Sequence, residues 1–227
     1  MEQTYPRAVT ALHYSNPFEL LIAVILSAQC TDARVNMATP ALFARYPTPE
    51  KLAKARQGDV ERLVRSCGFF RMKAKNIIGA SRALVEQHGG EVPSQREQLE
   101  ALAGVGRKTA SVVMSVAFEQ PAIAVDTHVF RVSHRLGLTL GKTPRDVERD
   151  LQKIVPREQW RHAHHWLIMH GRAICKAPIP RCGECPVNQI CPTPKILARS
   201  LTARALASAA GAPKPRQRRS AAAKKKR

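Results

Sequence analysis

The chain has 227 residues, long enough to bury a sizeable core in one large domain or two small ones, and carries 37 Lys and Arg against 17 Asp and Glu, a formal charge of +20. Its longest apolar stretch, Leu20 to Ala28, falls well short of the roughly 20 residues of a membrane span, and the start MEQTYPRAVTALHY has no secretory apolar core. A soluble, cytoplasmic protein with no membrane partner is expected, and its charge favours a polyanion, nucleic acid first, over an acidic small molecule.

Helix punctuation recurs along the chain. Asn16-Pro17, Thr39-Pro40, Thr48-Pro49 and Thr143-Pro144 each place a capping side chain before a proline at the first helical position, and Ser94 with Glu97 reads as a capping box. Gly68 stops a helix after VERLVRSC, and Gly89-Gly90 stops the long one before it. The fold class expected is all-α, built from many short helices.

Residues 99–118, LEALAGVGRKTASVVMSVAF, have the form of a helix-hairpin-helix. Its glycines let the turn approach a ligand closely, and free N–H groups at the start of the second helix can hold a phosphate without reading sequence. Gly104, Val105, Gly106, Arg107 and Thr109 are the candidate backbone contacts. A tight turn between packed helices is the plainer reading; Arg107, Lys108 and the net charge favour the DNA-binding one. Lys108 shares a helical stripe with Val112 and Val116, so it is expected to lean toward the protein, partly buried, where an amine is easier to keep neutral and nucleophilic.

AIAVDTHVFRV reads as a connection entering a helix, with Asp126 as the N-cap. The helix from Arg107 to Phe118 is about 18 Å long and the seven residues that follow can span about 23 Å, so the chain can bring Asp126 back to Lys108. The histidines of REQWRHAHHWLIMHGR are expected to be packing or surface residues. Cys175, Cys182, Cys185 and Cys191 form C-x6-C-x2-C-x5-C, which suits a four-thiolate zinc site or a [4Fe-4S] cluster; a single C-x2-C knuckle leans toward the cluster. From 196 onward there are ten basic and no acidic residues in low-complexity order, expected to be a disordered basic tail.

LAGVGRKTA, AVDTHVFRV, the cysteine spacing, NPFELLIAVILSAQ and HHWLIMHGR together resemble the endonuclease III family of helix-hairpin-helix DNA glycosylases, from about Pro17 to Cys191. The resemblance implies a six-helix barrel domain over 10–120 and an iron-sulfur domain over 1–9 and 121–195, with DNA in the cleft between them and the tail over 196–227. It implies Lys108 as Schiff-base nucleophile, Asp126 as the facing carboxylate, the four cysteines as [4Fe-4S] ligands, Gln29 as the residue filling the hole left by a flipped nucleotide, and Phe69 as the wedge. The expected enzyme is a monomer that removes oxidised pyrimidines from duplex DNA and cleaves the strand at abasic sites by β-elimination. Cys30 after Gln29, Phe69-Phe70 at the wedge and Ala103 before the hairpin glycines depart from the family's usual residues. An adenine glycosylase, which lacks this lysine, and a noncatalytic DNA-binding protein are the alternatives.

Overall fold

The computed structural model describes residues 1–6 and 8–194, so the expected tail lies outside the described residues. Among the described residues, ten α-helices run in the order α1 (Pro17–Leu26), α2 (Asp32–Arg45), α3 (Pro49–Ala53), α4 (Gln57–Leu63), α5 (Phe70–His88), α6 (Arg96–Glu100), α7 (Arg107–Ala117), α8 (Thr127–Arg135), α9 (Pro144–Ile154) and α10 (Trp160–Ala173). Among the described residues there is no strand, and no helix is long and apolar enough to cross a membrane.

Three of the four Pro-preceded caps form as expected. Asn16, Thr48 and Thr143 each accept a hydrogen bond from the backbone N–H three residues on, and Thr143 with Asp146 completes a capping box. Two expectations fail. Pro40 lies inside α2, which is capped by Thr31; Thr39 is buried in the packing, where its side chain cannot serve as a helix start. The Ser94–Glu97 box is absent too, because α6 begins two residues later, at Arg96, after the uncapped Gln95.

Two hydrophobic cores result. The first is built on α1, buried on all sides except Pro17 and Glu19, against which α2, α5 and α7 pack. A helix apolar all round has no solvent face to offer, so PFELLIAVIL becomes the centre of its bundle. Each of its fully buried leucines and isoleucines contributes about 1.5–3 kcal/mol of burial. The second core gathers Val129, Val132, Val147, Leu151 and Leu167 from α8, α9 and α10, with Ile123 from the link before α8 and Cys175 from just after α10.

Ion pairs join the two cores. Arg107 Nε donates to Glu148 Oε2 at 2.6 Å and its Nη2 to Oε1 at 3.2 Å; Arg96 lies 3.6 Å from the same carboxylate. Arg161 donates to Glu119 at 2.9 Å, and Arg172 to Asp32 at 3.1 Å. The N-terminal segment returns to α10, where Tyr5 Oη and His170 Nδ1 are 3.1 Å apart.

Candidate active site and cysteine loop

The hairpin is α6, the turn Ala101–Gly106 and α7. Gly104 has φ +78°, and a Cβ there would come within 2.8 Å of the Asn76 side chain, so both backbone and space call for glycine. At Gly106, the N-cap of α7, a Cβ would meet nothing, and no side chain caps the helix. The first-turn N–H groups of Arg107, Lys108 and Thr109 are therefore left to an outside acceptor. Val105 turns its side chain into the first core and donates its N–H to the Leu102 carbonyl, so it holds the turn rather than its ligand, while the Arg107 guanidinium is committed to Glu148, which leaves Arg107 its backbone N–H.

Lys108 and Asp126 line one cavity, walled also by Val24, Ser27, Val112, His164 and His165. The link Glu119–Val125 does return to the start of α7. Lys108 itself is exposed, contrary to the expected partial burial. The buried face of α7 is centred on Ala110 and Val113, and the Lys108–Val112 edge faces the open cleft instead. Asp126 caps α8: Oδ1 accepts from Val129 N–H at 2.8 Å, and Oδ2 makes no hydrogen bond among the described residues. One carboxylate thus serves structure with one oxygen and keeps the other available. A larger cavity, about 500 Å³, lies on another face of α10 and carries no lysine, arginine or histidine among the described residues, so size does not locate the chemistry.

His164 and His165, expected to be packing or surface residues, stand on this cavity. Burial, then the neighbouring His165, pushes His164 down to about 3, and burial with His162 pushes His165 down to about 4. Both are neutral in the native state at pH 7, whereas in the unfolded chain they take a proton near the ordinary 6.5. Below that value the unfolded state binds more protons, so acid destabilises the fold from pH 6.5 down to about 4 for His165 and about 3 for His164. Each histidine contributes about 1.4 kcal/mol per pH unit across its window. Thermal unfolding between pH 7 and 4 is expected to show this acid loss, with a flatter limb in His165→Gln; an unchanged slope would remove the histidines from the account.

Gln29 (φ +51°) and Phe69 (φ +45°) are both exposed, and both hold left-handed backbone that residues with a Cβ seldom adopt. Phe69 is 70% exposed while Phe70 packs on the first core, which separates two phenylalanines that sequence alone left equivalent. The buried Lys73 ammonium donates to the Cys67 carbonyl and anchors the chain just before Gly68 and Phe69.

The four cysteines line a second cavity with His170 and Thr193, and none of them is in a disulfide. Burial pushes Cys182 up, and the charges of Cys185, Cys191 and Cys175 raise it further, since gathered thiolates repel one another. Arg135 donates to the carbonyls of Lys176 (2.7 Å) and Pro178 (3.0 Å), and Arg131 donates to those of Gly171 and Cys175. Cys191 Sγ donates to the Arg135 carbonyl at 3.3 Å, and His170 Nε2 lies 3.6 Å from Cys185 Sγ. Sequence reading missed these braces; the only signal was the i, i+4 arginine pair in FRVSHR.

Residues 22–157 match the model of the HhH-GPD superfamily of base excision DNA repair proteins. The chain is 51% identical over 194 residues to endonuclease III of Synechocystis sp., covering 85% of this chain and 89% of that one. It is 49% identical over 191 residues to endonuclease III of Escherichia coli, covering 84% and 90%. Its structure superposes on that of a trapped endonuclease III–DNA covalent intermediate with a TM-score of 0.83, 48% identity, and coverage of 87% and 93%. A thermostable thymine-DNA glycosylase follows at 0.74 and 25% identity. The chain thus belongs to the endonuclease III family of base excision repair DNA glycosylases with AP lyase activity.

Proposed function

We propose that Lys108 is the nucleophile and Asp126 its facing carboxylate, acting as a monomer in the cytoplasm, at the nucleoid, on duplex DNA that carries oxidised pyrimidines or abasic sites. The observation that carries this reading is the shared cavity: the one wall that presents a lysine at a helix start also presents a carboxylate with a free oxygen. The target nucleotide leaves the stack to reach it, because its C1′ is inaccessible inside the duplex. The Lys108 amine attacks C1′, the glycosidic bond breaks, and the base departs with the bonding pair. Asp126 Oδ2 stabilises the positive charge growing on the sugar and receives the proton shed by the amine. The resulting iminium acidifies the C2′ proton; its loss expels the 3′ phosphate by β-elimination.

Gln29 and Phe69 are assigned to the space vacated by the nucleotide. Their exposed tips and fixed left-handed backbone support this. The hairpin grips phosphate through the backbone at Gly104, Gly106, Arg107 and Thr109, with Val105 holding the turn in shape. We assign residues 10–120 to one domain and 1–9 with 121–195 to the other, with DNA between them; the separate cores support that division. Sodium borohydride added during reaction with a thymine glycol duplex tests the central step. A stable protein–DNA adduct is expected, and binding without an adduct or a cleaved strand would remove the lyase assignment from Lys108.

Cys175, Cys182, Cys185 and Cys191 are assigned as ligands of one [4Fe-4S] cluster. They ring one cavity from a single loop, and four thiolates so gathered suit a [4Fe-4S] centre. When bound, the cluster neutralises the thiolates and cross-links the loop; no step of base removal passes through it. Anaerobically purified protein is expected to carry about four irons per chain with a broad visible band, and Cys182→Ala to lose most soluble protein. Stoichiometric zinc with negligible iron would overturn the assignment.

A further inference from the structure

Three buried side-chain polar atoms lack a hydrogen-bond partner among the described residues: Ser115 Oγ, Ser133 Oγ and His164 Nε2. Only His164 belongs to the wall of the Lys108 and Asp126 cavity. It is 1% exposed. Its Nδ1 lies 3.4 Å from the Trp160 carbonyl one turn back, and a carbonyl can only accept, so the proton sits on Nδ1 and Nε2 keeps a lone pair. That bond holds Nδ1 toward its own helix, which turns the far tip of the ring, Nε2, away from α10. Burial keeps the ring neutral, so it can accept at this nitrogen but not donate. A buried acceptor without a donor is costly and rare in folded proteins, and where it persists a ligand or water commonly supplies the donor.

We infer that His164 reads the extruded base, its Nε2 accepting a hydrogen bond from the ring N3–H of the damaged pyrimidine. This rests on the assignment of Lys108 and Asp126 to the same cavity. Leu12, Val24, Val112, Ile168 and Met169 give the cavity apolar faces for a flat ring beside the polar Ser27, Asp32 and Arg172, and a few placed polar atoms among apolar walls are how a small pocket selects its ligand. A neutral acceptor admits a base with a protonated ring nitrogen and opposes one that turns a lone pair toward it. Recognition of the base is then separate from the chemistry at C1′, because the lysine needs no base to form its imine with an abasic sugar.

Two substrates divide these roles. On a thymine glycol duplex, His164→Leu is expected to lower kcat/KM for base release about ten- to hundred-fold, the effect of losing one buried hydrogen bond. On a duplex with a preformed abasic site, the same variant should cleave and be trapped by borohydride within about two-fold of the wild type. His164→Gln, whose amide oxygen reaches the place of Nε2, should restore base release to within about five-fold. An equal fall on both substrates in a folded variant would overturn the inference and make His164 a support for Lys108; no fall on either would overturn it as well. Should the leucine variant fail to fold, the wild-type enzyme still decides, since thymine glycol methylated at N3 lacks the donor and should be released at least about ten-fold more slowly. Equal release of the methylated and unmethylated lesions would overturn it. Failure of the underlying site assignment looks different: Lys108→Ala would then keep abasic-site cleavage, a result seen without any change at His164.

Discussion

Lys108→Ala should abolish the borohydride-trapped adduct and lower strand cleavage at abasic sites by at least about 10³-fold, because no other amine of the cavity wall can form the imine. Arg172 and the two histidines share the wall, but a guanidinium stays protonated and a ring nitrogen cannot give a Schiff base that eliminates. Affinity for damaged duplex should change by only a few-fold. The hairpin's backbone donors at Gly106 and the first turn of α7 are untouched, and phosphate grip of that kind is independent of the lysine side chain. Since Lys108 is exposed, its truncation leaves no hole in either core, and thermal stability should shift by less than about 1 kcal/mol. Gel-resolved trapping on abasic duplex, with binding measured in parallel, checks each part; a persistent adduct would place the nucleophile elsewhere.

Asp126→Asn should fold normally and release base about 10²- to 10³-fold more slowly. The amide oxygen can replace Oδ1 as acceptor for Val129 N–H, so the N-cap of α8 survives, while Oδ2, the oxygen assigned to the sugar and to the lysine proton, becomes an amide nitrogen that can do neither. Asp126→Ala separates the two duties: it should match the asparagine variant in rate but lose about 1 kcal/mol of stability with the cap. Single-turnover base release and thermal unfolding of the three proteins provide the comparison. A wild-type rate in the asparagine variant would leave the residue with capping alone.

What could be read from the sequence follows from how local each signal is. Asp126 as a cap, Gly89 as a helix stop and the hairpin turn are decided by residues within a few positions of one another, and the structure has them as expected. Thr39-Pro40 misled because a proline tolerated inside α2 looks the same in sequence as one at a helix start; burial of Thr39 distinguishes them, and burial is tertiary. Lys108 was expected to be half-buried from its stripe, but a stripe does not say whether its face meets a core or a cleft. His164 and the Arg107–Glu148 pair were out of reach for a different reason. Arg107 and Glu148 are 41 residues apart, and no spacing rule links a histidine of α10 to a lysine of α7.

The pairs joining the two cores use both signs on each side. The first core offers Arg107 to Glu148 and Asp32 to Arg172, while Glu119, on the link between the cores, meets Arg161. A surface keyed in both polarities fits in one register only, since sliding one half along the other sets like charges face to face. The key is also graded in strength. Glu148 is nearly excluded from water, with 5% of its side chain exposed, while Glu119 keeps 71% and is readily screened. Rising salt therefore slackens the outer teeth first and leaves the hairpin latched to α9, holding the phosphate-facing turn in place over a wider range of ionic strength than the rest of the joint.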